Sequence, residues 1–396
     1  MNPRTSCDDS RPLRVIVVGG SHSGLLTALA LGAVNCNVEV FERSPHEMKE
    51  RGAGIVLQPE TLQFLSSHGI ATKEAISILP KIRQDLGRDS KVTREEVSYL
   101  SLMTSWDCLY RQLRAAFPDQ HYHKGNKLVS FEQDENQVIG RFNDGQLITC
   151  DLLVCADGAN STCRRRLLPD IALHYAGYVA WRGVIEESEV SPEVASVFTD
   201  KFIFFKAPQT HIMCYMIPGN GGELSKGKRR FNWVWYWNVP EGEQLRQVLT
   251  DRTGRFRDYS VPQGTIRQEL VEQQRAIAQN VLPEVFLHLF EQTLDPFIQP
   301  IYDLSVPQMV FGRVCLTGDA AFVLRPHTGA STSKAATNAM ELAKEVQLYK
   351  GDVVTALKKW EVSQLELGND LKALGISRGN LSQFAIDGKD SGDWLR

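Results

Sequence analysis

The segment from residue 14 to residue 42 constrains the fold more than any other part of this chain. The apolar run RVIVVG at 14–19 stops at a glycine, as a strand buried in a parallel sheet does. Leucine- and alanine-rich helix formers follow it, and NVEVFE at 37–42 reads as a second strand. The pattern predicts a β-α-β unit of about 30 residues, the size of a mononucleotide-binding crossover. It therefore favours an α/β fold with a doubly wound parallel sheet.

The loop between this first strand and its helix is built from small residues. They are Gly19, Gly20, Ser21, His22, Ser23 and Gly24. In the dinucleotide-binding fingerprint the third of these positions is also glycine, but serine still lets the backbone approach a pyrophosphate at the helix N-terminus. Glu42 ends the second strand, the position from which an acid accepts ribose hydroxyls. The alternative for Glu42 is an ordinary acid at a strand end.

A second glycine–acid pair, Asp157-Gly158, ends a later apolar strand. Ser161 can cap the helix that follows, which carries three arginines at 164–166 in its first turn. Cations are unfavourable near a helix N-terminus, so this placement predicts an anionic ligand or a carboxylate partner nearby.

The third pair is Gly318-Asp319, after the strand RVCL. An aspartate at the carboxyl end of a strand is well placed to bind polyol hydroxyls. The turn at 326–331 precedes another helix, so its backbone N–H groups suit the edge of an electron-rich ring.

Aromatic-rich strands occupy about 172–290, between the second and third motifs, so we predict a discontinuous nucleotide-binding domain with an inserted mixed β-sheet. The predicted nucleotide-binding parts are 1–80, 107–171 and 301–350. The predicted substrate layer comprises 81–106 and 172–300, and 351–396 is a C-terminal helical segment.

Composition excludes several classes of function. The net charge of −3 carries no basic excess, so nucleic acid is not an expected partner. The longest apolar stretch, 25–34, is too short to cross a bilayer, and the N-terminus lacks a secretory pattern. The eight cysteines are scattered without CxxC spacing, which predicts reduced thiols, no metal site and a cytoplasmic protein.

Taken in this order, the three motifs resemble those of the FAD-dependent aromatic-ring monooxygenases, the para-hydroxybenzoate hydroxylase class. The resemblance spans about 12–350, and the segments at 175–183, 231–236 and 325–335 look most like the 2,6-dihydroxypyridine 3-hydroxylase branch. It implies FAD, with NAD(P)H and O2, and hydroxylation of a small phenol- or hydroxypyridine-like ring through a flavin C4a-hydroperoxide. Epoxidation, dearomatising oxygenation and Baeyer–Villiger insertion stay open, as does a flavin-binding regulatory protein without turnover. A homodimer is one assembly compatible with it.

The resemblance also implies which residues hold the cofactor. For the adenosine half, Gly19 to Gly24 would hold the pyrophosphate, Glu42 the ribose, and Arg43 and Leu128 the adenine. Arg51 and Arg111 would lie near the flavin phosphate and ribityl chain, Gly318 and Asp319 would bind the ribityl chain, and Asp157 would serve FAD and the nicotinamide. The isoalloxazine ring would be followed by Pro326, His327, Thr328, Gly329 and Ala330. The family's histidine after Gly-Asp-Ala-Ala is Phe322 here, and its Gly-Gln-Gly is residues 329–331, Gly-Ala-Ser. Both departures concern ring contacts and substrate orientation.

Ring hydroxylation also requires a way to deprotonate the substrate, for which a histidine with a near-neutral pKa is the natural relay. His327 lies in the flavin-side turn, with a turn-stabilising hydrogen bond as the alternative role. His211 begins a strand, which favours an exposed strand end over a substrate contact.

Two further strands offer candidates for the substrate pocket. Tyr236 shares one face of its strand with Asn232, and we expect that face to meet the flavin and ring, unless it is core. Arg182 either binds an anionic substrate group or forms a structural salt bridge, and Lys334 is expected to be solvated or paired.

Overall fold

The computed structural model describes residues 11–48, 53–97 and 101–385, so Arg51 lies outside the described residues. The strands are β1 (Arg14–Val18), β2 (Asn37–Glu42), β3 (Gly54–Leu57), β4 (Ile82–Leu86), β5 (Val92–Val97), β6 (Leu102–Ser105), β7 (Tyr122–Lys124), β8 (Leu128–Gln133), β9 (Val138–Phe142), β10 (Leu147–Cys150), β11 (Leu152–Cys155), β12 (His174–Glu186), β13 (Lys201–Ala207), β14 (Thr210–Ile217), β15 (Arg230–Asn238), β16 (Phe297–Ser305), β17 (Val310–Phe311), β18 (Val314–Leu316) and β19 (Phe322–Val323).

The α-helices lie between and after these strands. They are α1 (His22–Ala33), α2 (Pro59–Ser67), α3 (Lys73–Ile76), α4 (Trp106–Ala116), α5 (Thr162–Leu167), α6 (Pro192–Phe198), α7 (Glu243–Val248), α8 (Gln268–Val281), α9 (Glu284–Glu291), α10 (Ser331–Leu348) and α11 (Val353–Phe384).

The first large sheet has the order β17-β18-β11-β1-β2-β7. Its β1, β2, β7, β11 and β18 are all parallel, and only the short edge strand β17 runs antiparallel. The strands come from distant parts of the chain, and their apolar side chains form one buried core with the flanking helices. This strand order confirms the predicted parallel α/β sheet. It also brings the three glycine–acid motifs together, since they follow the carboxyl ends of β1, β11 and β18 at one edge of the sheet.

The second large sheet has the order β19-β16-β12-β15-β14-β13-β4-β5 and is antiparallel except between β13 and β4. One of its faces packs against helices: Trp233 and Trp235 are fully buried there and contact Phe290 of α9. The opposite face carries Val234 and Tyr236, so the alternation predicted for this strand is present. The exact domain limits given above stay a prediction.

The helix α11 joins the two sheets. Near its start, the indole of Trp360 donates a hydrogen bond to the carbonyl of Asn338 in α10 (2.9 Å). Toward its end, Gly379 is so close to the second sheet that a Cβ atom would lie 2.6 Å from the Tyr178 hydroxyl and 2.8 Å from Cδ of Arg325. A side chain is missing there because the helix has to approach this closely.

Two global properties follow from the described residues. Their seven cysteines are free thiols, six of them buried. Within this part of the chain, none of the helices has both the length and the hydropathy needed to cross a bilayer.

Candidate active site

The loop between β1 and α1 is held in place by Glu42. Gly20 donates its backbone N–H to Oε2 of Glu42 (2.8 Å), and Ser44 donates to Oε1 (2.8 Å), so the buried carboxylate joins the loop to the end of β2. Gly19 has φ +103°, and a Cβ atom there would lie 2.4 Å from the carbonyl oxygen of Ala156. Only glycine combines this backbone conformation with that approach.

The N-terminus of α1 is available to an anion. Ser21 makes no side-chain capping bond, and the first turn contains no acid. The hydroxyl of Ser23 is buried without a hydrogen-bond partner in the described structure. Free backbone donors, the helix dipole and an orphaned hydroxyl together fit a pyrophosphate.

The second motif is built around a helix cap. Asp157 accepts hydrogen bonds from the backbone N–H groups of Thr162 (2.7 Å) and Cys163 (3.2 Å), so it supplies the carboxylate partner predicted near the arginine-rich turn. Arg164 is buried and donates to the carbonyl oxygens of Ala159 (2.6 Å) and Ala320 (3.0 Å). It therefore ties the second motif to the third rather than binding a ligand.

The third motif presents Asp319 to the same edge of the sheet. The side chain of Asp319 is 45% exposed, whereas its partner Lys334 is 1% exposed, and the two charged atoms lie 3.0 Å apart. Lys334 also donates to the carbonyl of Phe322. Lys334 is thus paired, as one of its two predicted roles required, and buried rather than solvated.

Three connected cavities run along this edge and into the second sheet. The outer cavity, of about 200 Å³, contains Gly19, Ser21, Glu42, Arg43, Leu128 and Asp157 among its lining residues. The middle cavity, of about 450 Å³, is lined in part by Ser21, His22, Ser23, Gly318, Asp319 and Pro326. The inner cavity, of about 170 Å³, is lined in part by Pro326, His327, Thr328, Gly329, His211 and Tyr236. Shared lining residues make the three cavities one continuous cleft.

The remaining predicted cofactor residues support the cleft or lie outside its lining. Gly20 accepts a hydrogen bond from the Tyr122 hydroxyl (2.9 Å), and at Gly24 a Cβ atom would lie 1.7 Å from the Gly19 carbonyl. The N–H of Ala330 bonds to Thr328 (3.2 Å). Each of the three shapes a turn without lining a cavity.

Arg111 departs from its expected place beside the flavin. Its guanidinium contacts the carbonyl of Asn220 and lies 3.7 Å from Asp107, one helical turn earlier, outside the lining of the three cavities. The (i, i+4) spacing of Asp107 and Arg111 was the sequence signal for this pairing.

The inner cavity brings together the three predicted catalytic side chains. The rings of Tyr236 and His327 are 4.4 Å apart, and those of His211 and His327 are 6.2 Å apart. Nε2 of His327 is hydrogen-bonded to the hydroxyl of Tyr178 (2.9 Å), and Nδ1 of His211 to the hydroxyl of Ser382 (3.0 Å). His327 therefore lines the cavity, and its hydrogen bond goes to β12 rather than stabilising its own turn.

Two expectations about these histidines were wrong. His211 is only 5% exposed, because α11 covers the end of β14, which the sequence predicted to be exposed. The pKa of His327 is not near neutral: desolvation, with Arg325 and Arg378 nearby, lowers it to about 3. Desolvation also holds the pKa of His211 well below its ordinary value. Both imidazoles are therefore neutral at physiological pH.

Some residues of the site were not predicted. Trp106 lines the outer and middle cavities and stacks on His22 at 4.6 Å, while Ser382 and Tyr178 hold the two histidines of the inner cavity. Contacts across 149 and 171 residues of chain leave no local pattern that would indicate them.

Comparison with known proteins gives this geometry its context. A family model described as FAD binding domain-like matches residues 175–303. Over 359 residues the chain is 36% identical to 2,6-dihydroxypyridine 3-monooxygenase from Paenarthrobacter nicotinovorans, covering 90% of this chain and 88% of that one. The chain belongs to the FAD-dependent aromatic-ring monooxygenases. Like them, this monooxygenase uses FAD, with NAD(P)H and O2 as co-substrates.

Solved structures agree with this membership. The structure of 2,6-dihydroxypyridine-3-hydroxylase from Arthrobacter nicotinovorans matches the monooxygenase with a TM-score of 0.88 at 33% identity, covering 96% of this chain and 95% of that one. The structure of HpxO from Klebsiella pneumoniae, complexed with FAD and uric acid, shares the fold at 21% identity and a TM-score of 0.76, covering 96% of this chain and 90% of that one.

Proposed function

We propose that this monooxygenase hydroxylates a small N-heteroaromatic ring that already carries hydroxyl groups, of the dihydroxypyridine type. The observation that carries the proposal is the inner cavity, which is small enough for a single ring and is lined mostly by apolar and aromatic side chains. Its polar groups include two neutral imidazoles and the Tyr236 phenol. The name of the 36%-identical relative supports the same class of substrate.

The cleft suggests how FAD is held. The outer cavity offers Glu42, Arg43 and Leu128 to the adenosine half, and the middle cavity lies between the α1 N-terminus and Asp319, where the pyrophosphate and ribityl chain would bind. The turn at 326–330 borders both the middle and inner cavities, so the flavin ring would lie between them. When bound, the flavin supplies the activation of oxygen, and the protein supplies binding, orientation and the exclusion of water.

The chain's own groups orient the substrate and keep water out. Tyr236, His211 and His327 line the cavity, and the aromatic side chains of Phe202, Phe204 and Tyr215 line it as well. A neutral imidazole has one nitrogen that donates and one that accepts. If His327 accepts a hydrogen bond from a ring hydroxyl through one nitrogen, its Nε2 donates to the Tyr178 hydroxyl, which lies 2.9 Å away. Burial raises the pKa of the Tyr178 hydroxyl, so this hydroxyl keeps its own proton. The pair therefore orients a ring oxygen through hydrogen bonds and does not take up its proton.

The proposal is tested by turnover with 2,6-dihydroxypyridine. We expect the FAD-loaded protein to oxidise NADH or NADPH faster with this ring than without it, and to yield a product heavier by one oxygen atom that carries label from ¹⁸O2. His327→Gln and Tyr236→Phe should lower the ratio of hydroxylated product to hydrogen peroxide, whereas the exposed Arg141→Gln serves as a matched surface control. If a panel of hydroxypyridines and phenols stimulates no NAD(P)H oxidation, the proposal fails. A labelled but dearomatised product would replace hydroxylation by one of the alternative oxygenations.

We also propose a cytoplasmic location, which the free and mostly buried thiols support because reduced cysteines persist in that compartment. A homodimer stays a prediction, which light scattering of the purified protein measures directly.

A further inference from the structure

Arg182 occupies the wall shared by the middle and inner cavities. It lies in the centre of β12, opposite Val234 of β15 and Phe297 of β16. It is on the same strand face as Tyr178 and Ala180, which pack with Tyr236 of the inner cavity. The side chain lines both cavities, so it lies where a ring substrate would meet the flavin.

This guanidinium has no counterion in the described structure. Its Nε atom is buried without a hydrogen-bond partner, and no ion pair involves it within residues 11–48, 53–97 and 101–385. The neighbouring Arg325 is different, because Asp303 accepts three hydrogen bonds from it (2.7–3.0 Å) and Asn380 a fourth (2.8 Å). A structural salt bridge, the other role predicted for Arg182, is therefore not formed.

The described lining of the inner cavity offers Arg182 no opposite charge. Among its described lining residues there is no aspartate or glutamate, and Arg182 is the one residue with a permanent charge. The acid among the lining residues of the middle cavity, Asp319, is paired with Lys334. The Nε atom of this cation is buried without a partner, and the cavities that it lines are a direction from which a counterion can reach the guanidinium.

We propose that the substrate supplies that counterion: the enzyme binds its ring substrate as an anion, and Arg182 is the residue that selects the ionised form. The inference rests on the proposed function and specifies its substrate class as hydroxylated N-heteroaromatic rings acidic enough to be ionised in neutral water. The ionised ring is also the electron-rich form that electrophilic oxygen attacks.

The weak basicity of His327 supports this choice. A neutral phenol has a pKa of about 10, roughly seven units above that of His327, so proton transfer between them would be unfavourable by about 10⁷-fold. A substrate that releases its proton to water before binding avoids this step. The histidine then needs only to donate a hydrogen bond to the ionised ring oxygen, while the Tyr178 hydroxyl donates to its Nε2.

The first test uses wild-type enzyme loaded with FAD and 2,6-dihydroxypyridine as the ligand, with binding followed by the change in flavin absorbance. Between pH 4.5 and 7.5 we expect the Kd to be lowest where the ring is ionised and to rise about tenfold per pH unit below the ring's own pKa. Affinity that is highest for the neutral ring would overturn the proposal.

Several groups near the cavity have pKa values outside the range of this titration. Besides Arg182, the ionisable side chains that line the two cavities are His22, His211, Tyr215, Tyr236, Tyr259, Tyr302, Asp319 and His327. Arg83 and Lys206 lie over the ring of Phe204, and Tyr178, Arg325 and Arg378 lie near His327. Burial lowers the pKa of His22 to about 4 and of His327 to about 3, and raises that of Tyr236 to about 12. Desolvation lowers the pKa of Lys206 to about 8, which is why the titration stops at pH 7.5.

The second test compares Arg182→Gln and Arg182→Lys with the exposed Arg141→Gln control. Losing a charge-assisted contact should raise the Kd of the ring anion by about 10- to 100-fold and flatten its pH dependence, and lysine should restore part of both. FAD affinity is measured separately, because Arg182 also lines the middle cavity.

The outcomes separate the two proposals. If wild type hydroxylates the ring but Arg182→Gln binds it with unchanged Kd and pH dependence, this inference is wrong while the proposed function stands. If wild type turns over no hydroxypyridine, the proposed function fails first. Should Arg182→Gln not fold, the wild-type titration decides alone.

Discussion

Nζ of the buried Lys334 lies 3.0 Å from Oδ1 of Asp319, a carboxylate whose side chain is almost half exposed to the cleft. The same ammonium donates to the carbonyl of Phe322, so it is held by two partners. An aspartate that has to meet a cofactor is thereby held by a buried lysine that is not among the lining residues of the middle cavity.

Removing the carboxylate should weaken cofactor binding most. Asp319→Ala deletes the group proposed to bind the ribityl hydroxyls, so we expect the Kd for FAD to rise by about 100-fold, the loss of one to two hydrogen bonds to a charged group. Titration of the apoprotein followed by flavin fluorescence measures it. Flavin affinity equal to wild type would contradict the assignment of Asp319.

Removing the lysine should weaken FAD binding less. Lys334→Met leaves Asp319 in contact with solvent but no longer oriented, and we expect the Kd for FAD to rise about tenfold, or about 1.4 kcal/mol. The control is Lys344→Met in the same helix, whose lysine is 65% exposed and pairs with Glu341. A folded Lys334→Met protein with wild-type affinity would show that the pair does not position the carboxylate.

The neutral state of His327 has a consequence for stability. Its folded pKa of about 3 lies below the ordinary value of 6.5, so the unfolded chain binds the extra proton between these values and stability falls as the pH drops through this window. Between pH 7.5 and pH 5, wild type should lose about 2 kcal/mol more than His327→Gln, which cannot titrate. Denaturant unfolding at fixed excess FAD measures the difference.

The control for that comparison is His174→Gln, at an exposed position of β12. It should lose stability in parallel with wild type. Equal losses in wild type and His327→Gln would mean that His327 carries its proton in the folded protein.

Two glycines of α11 should respond in opposite directions to alanine. At Gly375 a Cβ atom would meet nothing closer than 3.5 Å, so Gly375→Ala should stabilise by up to about 1 kcal/mol through helix propensity. At Gly379 it would lie 2.6 Å from the Tyr178 hydroxyl, so Gly379→Ala should destabilise by about 1–3 kcal/mol. Thermal unfolding of the two variants checks this, and stabilisation by both would mean that α11 packs less closely than described.

The cofactor end of the site was predictable because its signals are local. A strand, a small-residue loop and a helix occupy adjacent positions in the chain, and the rule that ligands bind at the carboxyl ends of parallel strands places Glu42 and Asp319 at one edge. The same reasoning could not detect the burial of His211, because the helix that covers it arrives 171 residues later. Nor could it give the pKa of His327, which depends on desolvation and on Arg325 and Arg378 together.

The continuous cleft implies a mechanical role for the cofactor. Its walls come from both sheets, the first supplying the loop at 19–24 and the second supplying Arg182 and Tyr236. A single FAD molecule bound along it would bridge the two layers, so the enzyme's resistance to heat should rise with free FAD concentration, as ligand linkage requires. When the purified protein is stored without added flavin, the contact between the two sheets along the cleft should therefore be lost before either sheet unfolds.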